Sequence, residues 1–121
     1  MREALKDPGR LEHILMAINN AMRFMEGHSE EDLKDNSILF FATVKTLEII
    51  GEAAYMLTSE FKENHPATAW AQIVGLRHIL VHGYYQVEVS ELYNILHNDL
   101  QPLKEQVTAY LKEFDVPSGD N

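Results

Sequence analysis

The chain has 121 residues, enough for one domain, and 45% of them are hydrophobic, as in an ordinary globular protein. Its 19 acidic residues against 10 Lys and Arg give a net charge of −9, whereas a protein that holds nucleic acid mainly by charge should be basic. This balance argues against a general nucleic-acid binder but allows an enzyme with one small positive site. Cysteine is absent, which excludes disulfides and thiolate metal sites and fits a reducing cytoplasm.

The chain shows no run of about 18 apolar residues that would indicate a membrane span. Its charged start, MREALKDPGR, lacks the apolar stretch of a secretory signal. We therefore expect a single cytoplasmic domain over residues 1–121, with a core at about 8–114 and a flexible tail at 115–121.

Apolar residues recur at spacings of three and four, which predicts helices nearly throughout. The first helix should cover about 8–26, with Pro8 in the first helical position. The run Ser29-Glu-Glu-Asp32 resembles a capping box and indicates a short helix. A long helix is predicted over about 37–63.

A third long helix is predicted from about Thr68 to Gly83, followed by a loop in which Ser90 should cap the next helix. The last helix should cover about 91–114, and Pro102 should kink or divide it. No stretch alternates with a period of two, as a strand would. The predicted fold is an all-α, four- to five-helix antiparallel bundle.

The segment 75–85, GLRHILVHGYY, carries the residues best suited to chemistry. Arg77 and His82 are five positions apart, so on a straight helix they point about 140° away from each other. A site that joins them requires the long Arg77 side chain to wrap round the helix, a bent helix end, or a second copy of the chain; we favour the last two together. Judged on spacing alone, a solvated arginine and a histidine at a helix end is the more common situation.

A histidine can move protons near neutral pH, and a guanidinium binds phosphate through two hydrogen bonds. Together, Arg77 and His82 would suit attack by a ribose 2′-hydroxyl on the neighbouring phosphate, which requires no metal. Because the reaction needs the 2′-hydroxyl, RNA would be the substrate and DNA would not.

Two further pairs of polar residues invite an interpretation. His78 and His82 share a helix face, but two histidines make half a zinc site and no third ligand is evident. Glu48 and Glu52 lie four apart on the long helix. Glu48, and with less reason Glu52, is expected to orient Arg77 or His82; an exposed helix face is equally compatible with their spacing.

Residues 77–84, RHILVHGY, resemble the Arg-x4-His-x-Tyr motif of HepT toxins in the HEPN superfamily. Residues 47–54 and 70–77 resemble two other segments of that family, and the similarity extends over about 8–113. The sequence departs from the common pattern at His78, where Asn or Asp is frequent, and at Lys45, where Arg is frequent.

The resemblance implies a helical bundle that forms a homodimer or a higher oligomer, with paired Arg and His residues at a cleft on the dimer axis. It implies a metal-independent endoribonuclease toxin that uses no cofactor. The partner would be a minimal nucleotidyltransferase antitoxin, which in the family transfers AMP to the motif tyrosine, here Tyr84.

The sequence therefore predicts an endoribonuclease in which Arg77 binds the phosphate and His82 is the general acid and base. Tyr84 and His78 would bind the substrate, and Tyr84 would be the modification site. The alternative is a non-catalytic helical protein that docks a minimal nucleotidyltransferase and presents Tyr84 or a substrate to it.

Overall fold

The computed structural model describes residues 6–114, and the predicted flexible tail at 115–121 lies outside the described residues. Within 6–114 the regular structure is entirely helical, which confirms the all-α prediction. The elements in chain order are α1 (Asp7–Met25), α2 (Glu30–Asp35), α3 (Ser37–Met56), α4 (Ser59–Asn64), α5 (Trp70–Gly83), a 3-10 turn (Tyr84–Gln86), α6 (Val89–Asn94), a π turn (Ile95–Asp99) and α7 (Leu100–Glu113). No helix in this part of the chain is long and apolar enough to cross a membrane.

Helix α3 lies between α1 and α5 and runs antiparallel to both. The first residue of α1, Asp7, accepts hydrogen bonds from Thr58, which follows the end of α3. At the other end of α3, the ring of Phe41 contacts Tyr84, which follows the end of α5. Helix α7 packs on the remaining side of α1, so α1, α3, α5 and the last helical segment enclose one core.

The predicted long helix over 37–63 is wrong, because the chain breaks it into α3 and α4. Leu57 adopts an extended conformation, with φ −63° and ψ 148°, so helical hydrogen bonding stops at Met56. The Thr58 hydroxyl then accepts a hydrogen bond from the Phe61 backbone N–H and caps α4. The break lets Leu57 and Phe61 both point into the core, where they are 3% and 6% exposed.

The cap predicted at Ser29 is confirmed, and the one at Ser90 is wrong. Ser29 and Asp32 form both hydrogen bonds of a capping box at the start of α2. Helix α6 instead begins at Val89, one residue before Ser90, and Glu88 is its N-cap residue without a side-chain bond. Packing of Val89 against the core places it inside the helix.

Pro102 lies just after a π turn that separates α6 from α7, so the last helix is divided as predicted. Proline has no backbone N–H, so the carbonyl group of Asn98, four residues earlier, loses its usual donor. Asn94, Ile95, Asp99 and Leu100 all keep right-handed helical backbone angles. The division is therefore a change in hydrogen-bond pattern, with no loop between the three pieces.

An aromatic cluster at one end of the bundle ties α4, α5 and α7 together. The His65 ring stacks on Phe61 at 3.9 Å and contacts Tyr110, and its two nitrogens lie 2.7 Å from the Phe61 carbonyl oxygen and 2.8 Å from a Glu113 carboxylate oxygen. Burial alone would lower the pKa of His65, but these two acceptors together raise it. The cluster lies beyond the start of α5, away from the turn that carries Tyr84.

Candidate active site

Arg77 lies on the side of α5 that packs against α3, and its backbone approaches α3 closely at Gly51. A Cβ atom built on Gly51 would overlap Cβ of Arg77 and lie 3.1 Å from the Ile73 carbonyl oxygen. Gly51 is therefore required for this close approach. The contact fixes the point at which the Arg77 side chain leaves the interface between the two helices.

The Arg77 guanidinium is held by Glu52, the residue after Gly51. Arg77 Nη2 lies 3.0 Å from Glu52 Oε1, and the two side chains are 33% and 49% exposed. The sequence favoured Glu48 as the orienting carboxylate, but the structure pairs Arg77 with Glu52. Glu48, one turn earlier on α3, is half-buried and forms no ion pair with another described residue.

Both glutamates line an open cavity between α1, α3 and α5, with a volume of about 320 Å³. Arg77 and Val81 contribute the α5 wall of this cavity. Helix α1 contributes Arg10 and His13, which the sequence did not single out. The pairing of α1 with α3 that brings these residues to Arg77 is a long-range feature that helical periodicity does not reveal.

His82 lies in the last turn of α5, is exposed and does not line this cavity. Its ring is 4.6 Å from the ring of His78, one turn earlier, and His78 is exposed as well. Helix α5 continues as an α-helix from Trp70 to Gly83, so five residues separate Arg77 and His82 by about 140° around its axis. A single chain therefore does not bring these two side chains together.

Tyr84 occupies the 3-10 turn that follows α5 and packs against the start of α3. Its ring centroid lies 5.5 Å from that of Phe41 and 6.4 Å from that of Phe40, and it is 37% exposed. The neighbouring Tyr85 is 73% exposed. The motif thus ends in two surface tyrosines, in the turn that directly follows the helix of the two exposed histidines.

The described residues contain no group of three or more His, Asp or Glu side chains placed to hold a metal ion. In particular, the pair His78 and His82 gains no third ligand within 6–114. Proton transfer by an imidazole and charge stabilisation by a guanidinium are the chemistry that the motif side chains offer.

A family model described as "Ribonuclease HepT-like" matches residues 14–110, most of the chain. The protein belongs to this family. The resemblance read from the motif is thereby confirmed, and with it the prediction of an enzyme of the ribonuclease class.

Curated relatives agree with that assignment. A protein of Caldanaerobacter subterraneus, whose name gives RNase as a provisional activity, is 35% identical over 85% of this chain and 92% of its own length. A protein of Thermococcus cleftensis named "Probable ribonuclease HepT" is 34% identical over 86% of this chain and 93% of its own. A provisional RNase of Methanocaldococcus jannaschii is 32% identical over 78% of this chain and 86% of its own. No solved structure gives a significant match.

Proposed function

We propose that this HepT-like protein is a metal-independent endoribonuclease toxin that cleaves RNA through attack of a ribose 2′-hydroxyl on the adjacent phosphate. His82 takes the proton from the 2′-hydroxyl or delivers one to the leaving 5′-oxygen, and Arg77 stabilises the negative charge that develops on the phosphate. Support comes from the held position of Arg77, which Gly51 and Glu52 fix, together with the exposure of His82.

The active unit in this proposal is a homodimer, because one chain leaves Arg77 and His82 apart. The surface of α3, α5 and the following turn carries most of the exposed large hydrophobic side chains among the described residues, namely Ile38, Phe41, Ile49, Tyr55, Met56, Ile79, Val81, Tyr84 and Tyr85. An apolar surface of this kind marks an interaction site. If two copies pair through it, the α5 helices meet and the Arg77 of each copy can serve the His82 of the other.

Tyr84 is the proposed site of control. Tyr84 follows His82 by two residues in the chain, so an AMP group on its hydroxyl would add a bulky anion at the end of α5 that carries His82. A minimal nucleotidyltransferase is the proposed antitoxin that makes this modification. We place the protein and this partner in the cytoplasm, where RNA is available.

The test is cleavage of single-stranded RNA by the purified protein in the presence of a metal chelator. The unaltered protein should cleave, Arg77→Ala and His82→Ala should each abolish cleavage, and both variants should stop inhibiting growth when expressed alone. Circular dichroism should show that both remain folded. Cleavage by His82→Ala at the unaltered rate would remove the assignment.

The exposed tyrosines also fit a second function, that of a non-catalytic partner which presents Tyr84 to a nucleotidyltransferase. Tyr84 is 37% exposed, so its side chain is accessible to such a partner. The acidic net charge also favours this alternative, since a docking protein does not have to bind RNA. It predicts that expression alone is harmless and that no variant of Arg77 or His82 changes growth.

A further inference from the structure

The cavity beside Arg77 collects positive side chains from three helices in an otherwise acidic chain. Arg10 and His13 come from α1, Lys45 from α3 and Arg77 from α5. Two carboxylates, Glu48 and Glu52, share the cavity, and Glu52 is paired with Arg77. Arg10 and Lys45 thus face one remaining carboxylate, and His13 adds a further positive charge when it is protonated.

Arg10, which lines the cavity, has a guanidinium whose hydrogen bonds are incomplete. Its Nε atom is buried, yet it has no hydrogen-bond partner among the described residues. A buried donor of a charged group is costly when it is left unpaired, so proteins normally provide an acceptor for it. The Nε atom is closed to solvent, so an anion in the cavity would not reach it. Such an anion would instead offset the charge of the Arg10 guanidinium at the cavity wall and would also balance the charge of Lys45.

The volume of the cavity and the side chains that line it indicate which kind of anion could bind there. A volume of about 320 Å³ lies at the small end of the range for ligand cavities, about 300–1,000 Å³. The lining also contains the apolar side chains of Ile49 and Val81. Both belong to the surface proposed for pairing, so this side of the cavity would face the cleft between two copies. A phosphodiester with its attached ribose meets both requirements, because the phosphate binds the cations and the sugar carbons contact the apolar side chains.

We propose that Arg10 and Lys45 form a subsite for a second phosphate of the RNA strand, next to the phosphate on which Arg77 acts. The identity of the ligand as RNA rests on the proposed function. Arg77 links the two positions, since it lines the same cavity as Arg10 and Lys45. The subsite thus binds and aligns the strand and takes no part in proton transfer.

The experiment compares the binding of a single-stranded oligodeoxynucleotide and of a dinucleotide with one phosphate. The deoxy strand lacks the 2′-hydroxyl and stays intact during a fluorescence anisotropy titration. Lys45 is exposed, so Lys45→Met should leave the fold intact, and Lys34→Met on α2 is the matched control outside the cavity. Arg10→Met is the second test variant.

For Lys45→Met we expect the affinity for the oligonucleotide, relative to that for the dinucleotide, to fall about fivefold or more. The slope of log affinity against log salt concentration for the oligonucleotide should also decrease by the amount that corresponds to about one phosphate contact. Lys34→Met should stay within about twofold of the unaltered protein, since an isolated surface charge contributes little. Equal effects of Lys45→Met and Lys34→Met on oligonucleotide affinity would overturn the subsite.

If the nuclease proposal is wrong, the experiments give a result that differs from the one expected when only the subsite is wrong. The unaltered protein would then leave RNA intact, while the anisotropy titration would still report whether Lys45 and Arg10 bind a phosphate strand. Loss of strand binding in Lys45→Met would support the subsite even in that case. Absence of strand binding by the unaltered protein would overturn it.

Discussion

The position of Arg77 depends on the missing side chain of Gly51. We expect Gly51→Ala to lower the free energy of unfolding by about 1–3 kcal/mol, because the new methyl group overlaps Cβ of Arg77 and the two helices must move apart. RNA cleavage should fall as well, since the guanidinium leaves its place beside Glu52. Urea denaturation and initial cleavage rates are the two measurements.

Gly75 provides the matched control for this substitution. It lies in the middle of α5, is exposed, and a Cβ atom at its position would meet nothing within 4 Å. Gly75→Ala should therefore raise the free energy of unfolding by about 0.5–1 kcal/mol, the usual gain from replacing a helical glycine. If Gly51→Ala were stabilising to the same extent, the close approach of α3 and α5 would be refuted.

Glu52 should matter for catalysis more than for stability. Its ion pair with Arg77 is partly exposed on both sides, and pairs of this kind contribute about 0–1 kcal/mol. Glu52→Gln removes the charge that orients the guanidinium, so we expect about a tenfold loss in kcat with a small change in the unfolding midpoint. Steady-state cleavage kinetics and a thermal melt measure the two effects.

Glu48→Gln is the comparison that separates orientation from overall charge. It removes one negative charge from the same cavity without breaking the bond to Arg77, so its kcat should fall much less. The sequence favoured Glu48 for this role, and a larger loss in Glu48→Gln than in Glu52→Gln would restore that original interpretation.

At the scale of elements, Thr58 joins the end of α3, the start of α4 and the start of α1. Its hydroxyl caps α4 and donates to Asp7 at 2.7 Å, and its backbone N–H donates to Asp7 at 3.0 Å. Thr58→Ala should lower the free energy of unfolding by about 1–2 kcal/mol, as is typical of a lost helix cap. Chemical denaturation measures the change.

Ser90 is the natural control for Thr58, because the sequence predicted a cap there and the structure places it inside α6. Ser90→Ala should change the free energy of unfolding by no more than about 0.5 kcal/mol. A loss equal to that of Thr58→Ala would mean that Ser90 does cap the helix in solution.

Local sequence signals predicted the helices better than their junctions. The apolar spacing and Pro8 located α1 to within one residue, since the helix begins at Asp7 and Pro8 is its second residue. Gly83 marked the end of α5. The spacing of four between Leu57 and Phe61 concealed the break between α3 and α4, because two buried apolar residues at that spacing also fit one face of a continuous helix.

The candidate site likewise contains residues that the sequence predicted and residues that it did not. Arg77, His82 and Tyr84 were recognisable from one short motif. The partner of Arg77 could not be chosen from the sequence, since Glu48 and Glu52 lie on the same side of α3 and differ only in their register against α5. Arg10 joined the site through the packing of α1 on α3, which no local pattern encodes.

At the scale of the whole molecule, the proposed active unit is a dimer with two composite sites, each made from the Arg77 of one copy and the His82 of the other. A symmetric pair formed through the α3 and α5 surface would carry both sites near its axis. Arg77→Ala alone, or His82→Ala alone, disables both sites of such a dimer. Neither variant by itself therefore distinguishes a site shared between two copies from a site within one chain.

Mixing the two inactive variants, Arg77→Ala and His82→Ala, should restore cleavage. After subunit exchange about half of the dimers are mixed, and each mixed dimer keeps one site with both residues intact, so activity should return to about a quarter of the unaltered level. Each variant incubated alone is the control, and sedimentation of the mixture establishes that dimers are present. If mixed dimers form and remain inactive, Arg77 and His82 must act within the same chain, and the straight end of α5 would then have to bend when RNA binds.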